Sequence, residues 1–252
     1  MSGKLIRLNT LPLKPWTKNN RQPNNLKVLT IIPARAGSKR LPSKNWRPLA
    51  GRPLADYVLA ATAAAKLPTD VVVNSDSEEV LALGHGYANF HCLLRPAALS
   101  TDRSPAIDYV THTLAYMESL GKPAYDAVAI IQPTSPFTLA ADIDATIALL
   151  ANSGADTAVS ITEIPHDLNP LKLKVLRDER LAPYFEEETG RMAAHDLPQV
   201  YIRNGAVYVT TLETIRKGQI IGLDCRGYLM PRERSVDIND DFDWRLAEFL
   251  LQ

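Results

Sequence analysis

Val28, Leu29, Ile31 and Ile32 form a nearly unbroken apolar run that empties, past Pro33, into a loop carrying Arg35, Lys39, Arg40 and Lys44. A short run without polar alternation is the pattern of a strand buried on both faces of a parallel sheet. Pro33 is expected to stop that strand. The loop that follows holds Gly37 and Ser38 and no acidic residue. A buried strand that delivers Gly, Ser and cations to its carboxyl end is how open α/β sheets build anion sites. Polyphosphate is the anion such a loop suits. A plain solvated turn is the ordinary reading of four charges in a row, and the position directly behind a buried strand argues against it here.

The same rhythm repeats downstream. Pro53 to Ala65 reads as a helix with proline in its first turn, and Asp70 to Asn74 as a second strand. Ser75-Asp76-Ser77 can cap a helix from Glu78, and Gly84 and Gly86 end it. Phe90 to Leu94 is a third strand running into Arg95-Pro96, and a helix is expected from about Ala106 to Leu120. Ala127 to Ile131 delivers Gln132-Pro133-Thr134-Ser135-Pro136; a helix over Asp142–Asn152 and a strand over Thr157–Ile161 follow. This alternation with short loops predicts an α/β fold, a doubly wound, mostly parallel sheet with helices on both faces.

Between Thr162 and Gln199 the rhythm breaks, with prolines at 165, 170, 183 and 198 and the acidic trio Glu186–Glu188. The stretch is too long for a plain loop in a compact domain. It reads as a protruding β-arm, residues 162–200, that pairs two subunits into a homodimer. The pattern resumes at Ala206–Thr210 and closes with Ser235-Val236-Asp237-Ile238 before an acidic helix over Asp240–Leu251. The expected division is therefore a poorly ordered basic tail at 1–27 and one domain at 28–252.

The charge balance narrows the partners. Formal net charge is zero over 252 residues, so no general affinity for nucleic acid or membrane is implied. Twelve of the Lys and Arg fall within residues 1–55, ahead of the first acidic residue, Asp56. A local anion site in a balanced protein accounts for this. Cys92 and Cys225 match no metal spacing and read as free thiols of a reducing compartment. No apolar run is long enough to span a bilayer, and residues 1–27 lack the apolar core of a secretory signal. A cytoplasmic location is the default.

Familiar nucleotide motifs are missing: there is no GxxxxGK[ST], no GxGxxG after a strand, no HExxH and no serine elbow. What the chain does carry, in order, is IIPARAGSKRLPSKN from Ile31, LRPAALSTD at 94–102, IIQPTSP at 130–136, NPLK at 169–172, RNGAVYV at 203–209 and SVDIN at 235–239. This ordered set resembles the acylneuraminate cytidylyltransferases, and the likeness covers Val28 to Gln252. The resemblance implies a Rossmann-like nucleotidyltransferase that takes CTP and a sialic-type, nonulosonic sugar acid, needs Mg²⁺ and releases pyrophosphate. A related enzyme for an eight-carbon keto-deoxy sugar acid and a non-catalytic nucleotide-sugar-binding protein are the alternatives.

Carried over by motif position, the resemblance gives Arg35, Gly37, Ser38 and Lys39 to the triphosphate, with Lys44 and Asn45 near phosphates and nucleoside. Arg95 falls near the cytosine, and Gln132, Lys172 and Arg203 approach the sugar acid. Arg35, Lys39 and Asp237 are the catalytic candidates, and Asp237 and Asn239 the metal ligands. The chemistry fits these residue types. In-line transfer at a phosphorus asks for positioning and cationic stabilisation rather than a covalent protein nucleophile. The late motif departs from the family in having Asn239 where a second aspartate is usual, which leaves Asp240 or Asp241 to compensate. Arg203 also sits directly before Asn204, and on a strand a shift of one residue reverses side-chain direction.

Overall fold

The computed structural model describes residues 22–37, 39–185, 193 and 197–252. In chain order the first elements are β1 (Val28–Ala34), β2 (Pro48–Leu49), β3 (Arg52–Pro53), α1 (Leu54–Ala64), β4 (Asp70–Ser75) and α2 (Glu78–His85). Next come β5 (Phe90–Leu94), α3 (Ala106–Ser119), β6 (Ala127–Ile131), α4 (Ala140–Ser153) and β7 (Thr157–Glu163). The last are β8 (Lys174–Arg177), β9 (Arg180–Pro183), β10 (Tyr201–Thr211), α5 (Leu212–Arg216), β11 (Cys225–Leu229) and α6 (Asp241–Leu250).

Seven strands form one sheet in the order β11-β7-β10-β6-β1-β4-β5. All neighbouring pairs are parallel except those of β10, which runs antiparallel to both β6 and β7. The chain steps outward from β1 to β4 and β5, then returns across β1 to β6. That reversal is a topological switch point, the place where open α/β sheets leave a crevice beyond their carboxyl ends.

Alternation along β1 explains why both faces need helices. Val28, Ile32 and Ala34 pack with α1, α2 and α4 in one apolar cluster, while Leu29 and Ile31 pack with α3 and α5 in another. Every residue of β1 is buried. This is the doubly wound, mostly parallel α/β sheet that the apolar pattern predicts. A third cluster, with Leu41, Leu49, Leu54, Ile238 and Trp244 at its centre, ties α6 to the segment after β1.

Three readings need correction. β1 does not stop at Pro33; it runs on to Ala34, with Pro33 opposite Asn74 of β4. Pairing with β6 has already ended at Ile31, so the proline sits where β1 keeps one neighbour, a position that tolerates a missing N–H. β10 starts at Tyr201, well before Ala206, and opposes its neighbours. β11 was not anticipated, because its residues alternate between exposed and half-buried and give no apolar run.

Of the expected tail, residues 22–27 are placed. Pro23–Asn25 is a 3₁₀ turn against α4, and Leu26 is buried in the first cluster. Within the expected arm, β8 and β9 form a hairpin whose two-residue turn, Asp178-Glu179, has positive φ at both positions. That is the turn whose twist suits a tight hairpin. Glu186–Glu188 lies outside the described residues.

Candidate active site

The carboxyl ends of β1, β5 and β6 open onto one cleft of about 580 Å³. It is polar, and its walls come from separate parts of the sequence. Arg35, Lys39, Lys44 and Asn45 line it from the loop after β1, Arg95 from the end of β5, Gln132 from the end of β6 and Asn239 from the late motif. Seven of the residues singled out in the sequence therefore meet in one place.

The loop after β1 is pinned from beneath and open above. The Ala36 amide donates to the Asp76 carboxylate at 2.8 Å, and Asn45 Nδ2 donates to the Arg35 carbonyl at 2.9 Å. Asn45 Oδ1 is buried with no partner among the described residues, an orphaned acceptor at the cleft wall waiting for a donor. A Cβ built on Gly37 would meet nothing within 4 Å, so the space over it is free for a ligand. Ser38 lies outside the described residues.

Two of the loop's four cations are already occupied by a carboxylate. Arg35 Nη1 donates to Asp102 Oδ1 at 2.8 Å, and Lys39 Nζ pairs with Asp102 Oδ2. The Lys39 ammonium, with the Arg35 guanidinium, holds the Asp102 carboxyl below the usual carboxylate range. Lys44 stands apart, donating to the Ile238 carbonyl at 2.7 Å. Burial lowers its pKa, and the charge of nearby Asp237 partly offsets the drop. An ammonium drawn out of water in this way gains most from a new anionic partner.

Arg95 is held differently. It is 5% exposed, its guanidinium lies 4.8 Å over the Tyr109 ring, and Asn74 accepts from both its Nε and Nη2. Burial lowers its pKa. Asp102, Asn74 and Tyr109 carry no role in the sequence reading. Asp102 ends the LRPAALSTD segment, and Asn74 is a polar residue at the carboxyl end of a buried strand, the signal that singles out Gln132.

The family model for cytidylyltransferases matches residues 29–221. The chain belongs to the cytidylyltransferase family. An N-acylneuraminate cytidylyltransferase of Escherichia coli is 29% identical over 224 residues, which is 88% of this chain and 51% of that protein. A CMP-N,N'-diacetyllegionaminic acid synthase of Legionella pneumophila is 29% identical over 231 residues, 90% of this chain and 97% of that protein. The chain thus spans about half the length of the first relative and nearly all of the second. A solved CMP:2-keto-3-deoxy-manno-octonic acid synthetase complexed with CTP superposes with a TM-score of 0.65 at 14% identity, over 89% of this chain and 98% of that one. A 4-diphosphocytidyl-2C-methyl-D-erythritol synthase from Anaerococcus prevotii does so with 0.61, also at 14% identity, over 90% and 96%. At those identities the likeness is one of fold.

Family membership makes the remaining residues a question of placement. Lys172 does not line the cleft; it sits in a 3₁₀ turn before β8, 3.1 Å from His166 Nδ1 and 3.9 Å from Asp167. Arg203 lies on β10, paired opposite Ile161, and does not line the cleft either. Asp237 borders it through its neighbours: Asn239 Nδ2 donates to its Oδ2 at 2.9 Å, and Gly205 packs against its carboxylate. Gly205 has φ +81, so a side chain there would be strained in backbone, while a Cβ would touch that carboxylate at an ordinary 3.4 Å.

The donor set can be tested against a divalent cation. Among the described residues no three acidic, His or Cys side chains cluster as a metal site. Asp240 Oδ1 is committed to capping α6, accepting from the Phe242 and Asp243 amides, and Asp241 makes a loose 3.8 Å pair with Arg47. Of the late motif's carboxylates Asp237 is left beside the cleft, with Asn239 Nδ2 donating to it; Asp102, which lines the cleft, is already held by Arg35 and Lys39. That suits Mg²⁺, which keeps its waters and takes one or two carboxylates beside substrate phosphates, and it does not suit a cage built by the protein alone.

Proposed function

We propose that this chain transfers CMP from CTP to the anomeric hydroxyl of a nonulosonic acid. The sugar oxygen bonds to the α-phosphorus as its hydroxyl proton passes to water, the bond from that phosphorus to the β-phosphate oxygen breaks, and pyrophosphate leaves with the electron pair. The observation that carries this reading is a single cleft at the sheet's switch point with two unlike walls. A loop of exposed cations faces it on one side, and a buried, stacked arginine on the other. The first wall has the chemistry of a triphosphate seat, the second that of a base pocket. The names of the curated relatives supply the sugar acid.

In this reading Arg35 and Lys39 bind the triphosphate and stabilise the charge that builds on the leaving pyrophosphate. Lys44 and Asn45 hold the nucleotide between phosphate and ribose, and Gln132 meets the acceptor from the cleft floor. Lys172 and Arg203 are offered to the acceptor carboxylate. Asp237, with Asn239, would hold Mg²⁺, which neutralises phosphate charge when bound. We place the protein in the cytoplasm, where the free thiols Cys92 and Cys225 would remain reduced. We also propose a homodimer through residues 162–200, supported by Leu168, Leu173, Leu176 and Leu181, all exposed on or beside the β8–β9 hairpin.

Pyrophosphate release with CTP and Mg²⁺ is the test, run against N-acetylneuraminate, N,N'-diacetyllegionaminate and 3-deoxy-manno-octulosonate. Release with either nine-carbon acid upholds the proposal. Release with the eight-carbon acid alone transfers it to that acceptor. CTP binding without release for any acceptor makes the chain a binding protein.

A further inference from the structure

Arg95 is not merely buried beside the cleft; its orientation is dictated from behind. Asn74, fully buried at the end of β4, accepts from Arg95 Nε through Oδ1 at 2.5 Å and from Arg95 Nη2 through its backbone carbonyl at 2.6 Å. Asn74 Nδ2 donates to Thr113 Oγ1 at 2.7 Å, and the Thr113 hydroxyl donates to the Tyr109 carbonyl at 2.7 Å. The Tyr109 ring then lies under the guanidinium. The circuit closes on itself through α3.

That circuit leaves Asn74 one way round. A hydroxyl has a single proton, and Thr113 places its own on the Tyr109 carbonyl, so toward Asn74 it can only accept. Asn74 must therefore turn its NH₂ to Thr113, which turns its oxygen to Arg95. A guanidinium carries five N–H donors in a rigid plane. The clamp takes Nε–H and one N–H of Nη2. The other three have no partner among the described residues, on a side chain that lines the cleft. Unmet donors on a buried cation are costly, so a ligand that supplies matching acceptors is strongly favoured.

From this geometry we infer that Asn74 is a positioning residue for base selection, holding Arg95 as a fixed pair of donors that accepts cytosine and rejects uracil. Cytosine offers N3 and O2, two adjacent acceptors on one edge. Uracil carries a proton on N3, and a donor facing a donor leaves both unpaired. A mobile arginine evades that clash by rotating; one clamped at Nε and Nη2 cannot. The inference rests on the reading of this cleft as the CTP site and adds to it the residue that makes the site selective.

The experiment is calorimetric binding of CTP and of UTP, each with Mg²⁺ and no acceptor, to the wild-type protein and to Asn74→Ala, Thr113→Val and Arg95→Ala. Wild type binds CTP more tightly than UTP. Asn74→Ala narrows that preference about tenfold, the order set by one hydrogen bond to a charged group. Thr113→Val, near-isosteric and one bond further back, narrows it about threefold and keeps the test open if Asn74→Ala does not fold. A preference unchanged in the variants that fold, alongside a fall in Tm, makes the circuit purely structural and overturns the inference. Equal binding of CTP and UTP by wild type overturns it as well. Arg95→Ala separates the two levels. If it leaves CTP binding intact, the cleft reading fails. If it abolishes the preference while Asn74→Ala does not, only the role of Asn74 fails.

Discussion

Two arginines face the same cleft and are built on opposite principles. Arg35 is about 40% exposed in its side chain and pairs with an equally wet Asp102. Arg95 is buried, stacked on Tyr109 and bonded twice to Asn74. Exposed ion pairs contribute little to stability because water and salt screen them, so the Arg35 contact exchanges easily for another anion. A buried guanidinium costs much to strand, so the Arg95 contact is fixed before any ligand arrives. The cleft thus joins an adaptable wall to a preorganised one, and phosphate and base are the ligand parts those walls suit. Phosphates are flexible and multiply charged. A base edge is flat, neutral and read by direction.

Arg95→Ala breaks the contrast most severely. It should cost stability and nucleotide affinity together, about 2 kcal/mol in urea unfolding from the unpaired Asn74 carbonyls and on the order of a hundredfold in CTP binding. A variant that loses affinity with no change in unfolding midpoint contradicts the idea that this wall is part of the core. Arg35→Ala should do the reverse in kind: kcat/KM for CTP falls on the order of a hundredfold, while the melting temperature stays within a degree or two. Untouched CTP turnover would remove the loop after β1 from the triphosphate.

A gentler change sharpens the adaptable side. Asp102→Asn vacates the carboxylate that Arg35 and Lys39 hold, and CTP should bind roughly two- to threefold more tightly at low ionic strength, with the gain shrinking as salt screens it. Weaker binding in that variant would mean that Asp102 braces the cations rather than competing for them. Lys44 supplies the smallest effect. Burial depresses its folded pKa below the ordinary lysine value, so the unfolded chain binds more protons in the interval between the two. Stability should therefore rise with pH across that interval, whereas CTP affinity falls as Lys44 loses its charge. In Lys44→Met both trends should flatten, as followed by thermal unfolding and CTP titration across the alkaline range.

How much of this was legible in the sequence depends on the range of the interactions involved. The strands of the sheet centre announced themselves because both faces are buried, Arg35 and Arg95 because each directly follows a strand, and Lys44 because it belongs to the basic loop after β1. Pro33 misled, since whether a proline breaks a strand depends on how far the next strand over extends. β11 is an edge strand whose exposed alternate residues conceal it. Asp102 could be quoted within a motif, yet its role comes from lying across two cations 63 and 67 positions away. The Asn74 circuit was invisible because its direction is decided by one hydroxyl proton on a helix 39 residues downstream.

Along the chain, the reversed strand β10 separates the first cleft residues from the last. The cationic loop after β1 and the Arg95 pocket come from residues that precede Gln132; the hairpin, Arg203, Gly205 and Asp237 all come after it. Gln132 is one place where the two meet, its backbone amide donating to the Ala206 carbonyl at 3.0 Å, with the Thr134 carbonyl receiving the Ile238 amide at 2.8 Å. The β6–β10 ladder, the Lys44 bond to the Ile238 carbonyl and the third apolar cluster add further ties, so a change in the later portion reaches the cleft by several routes at once.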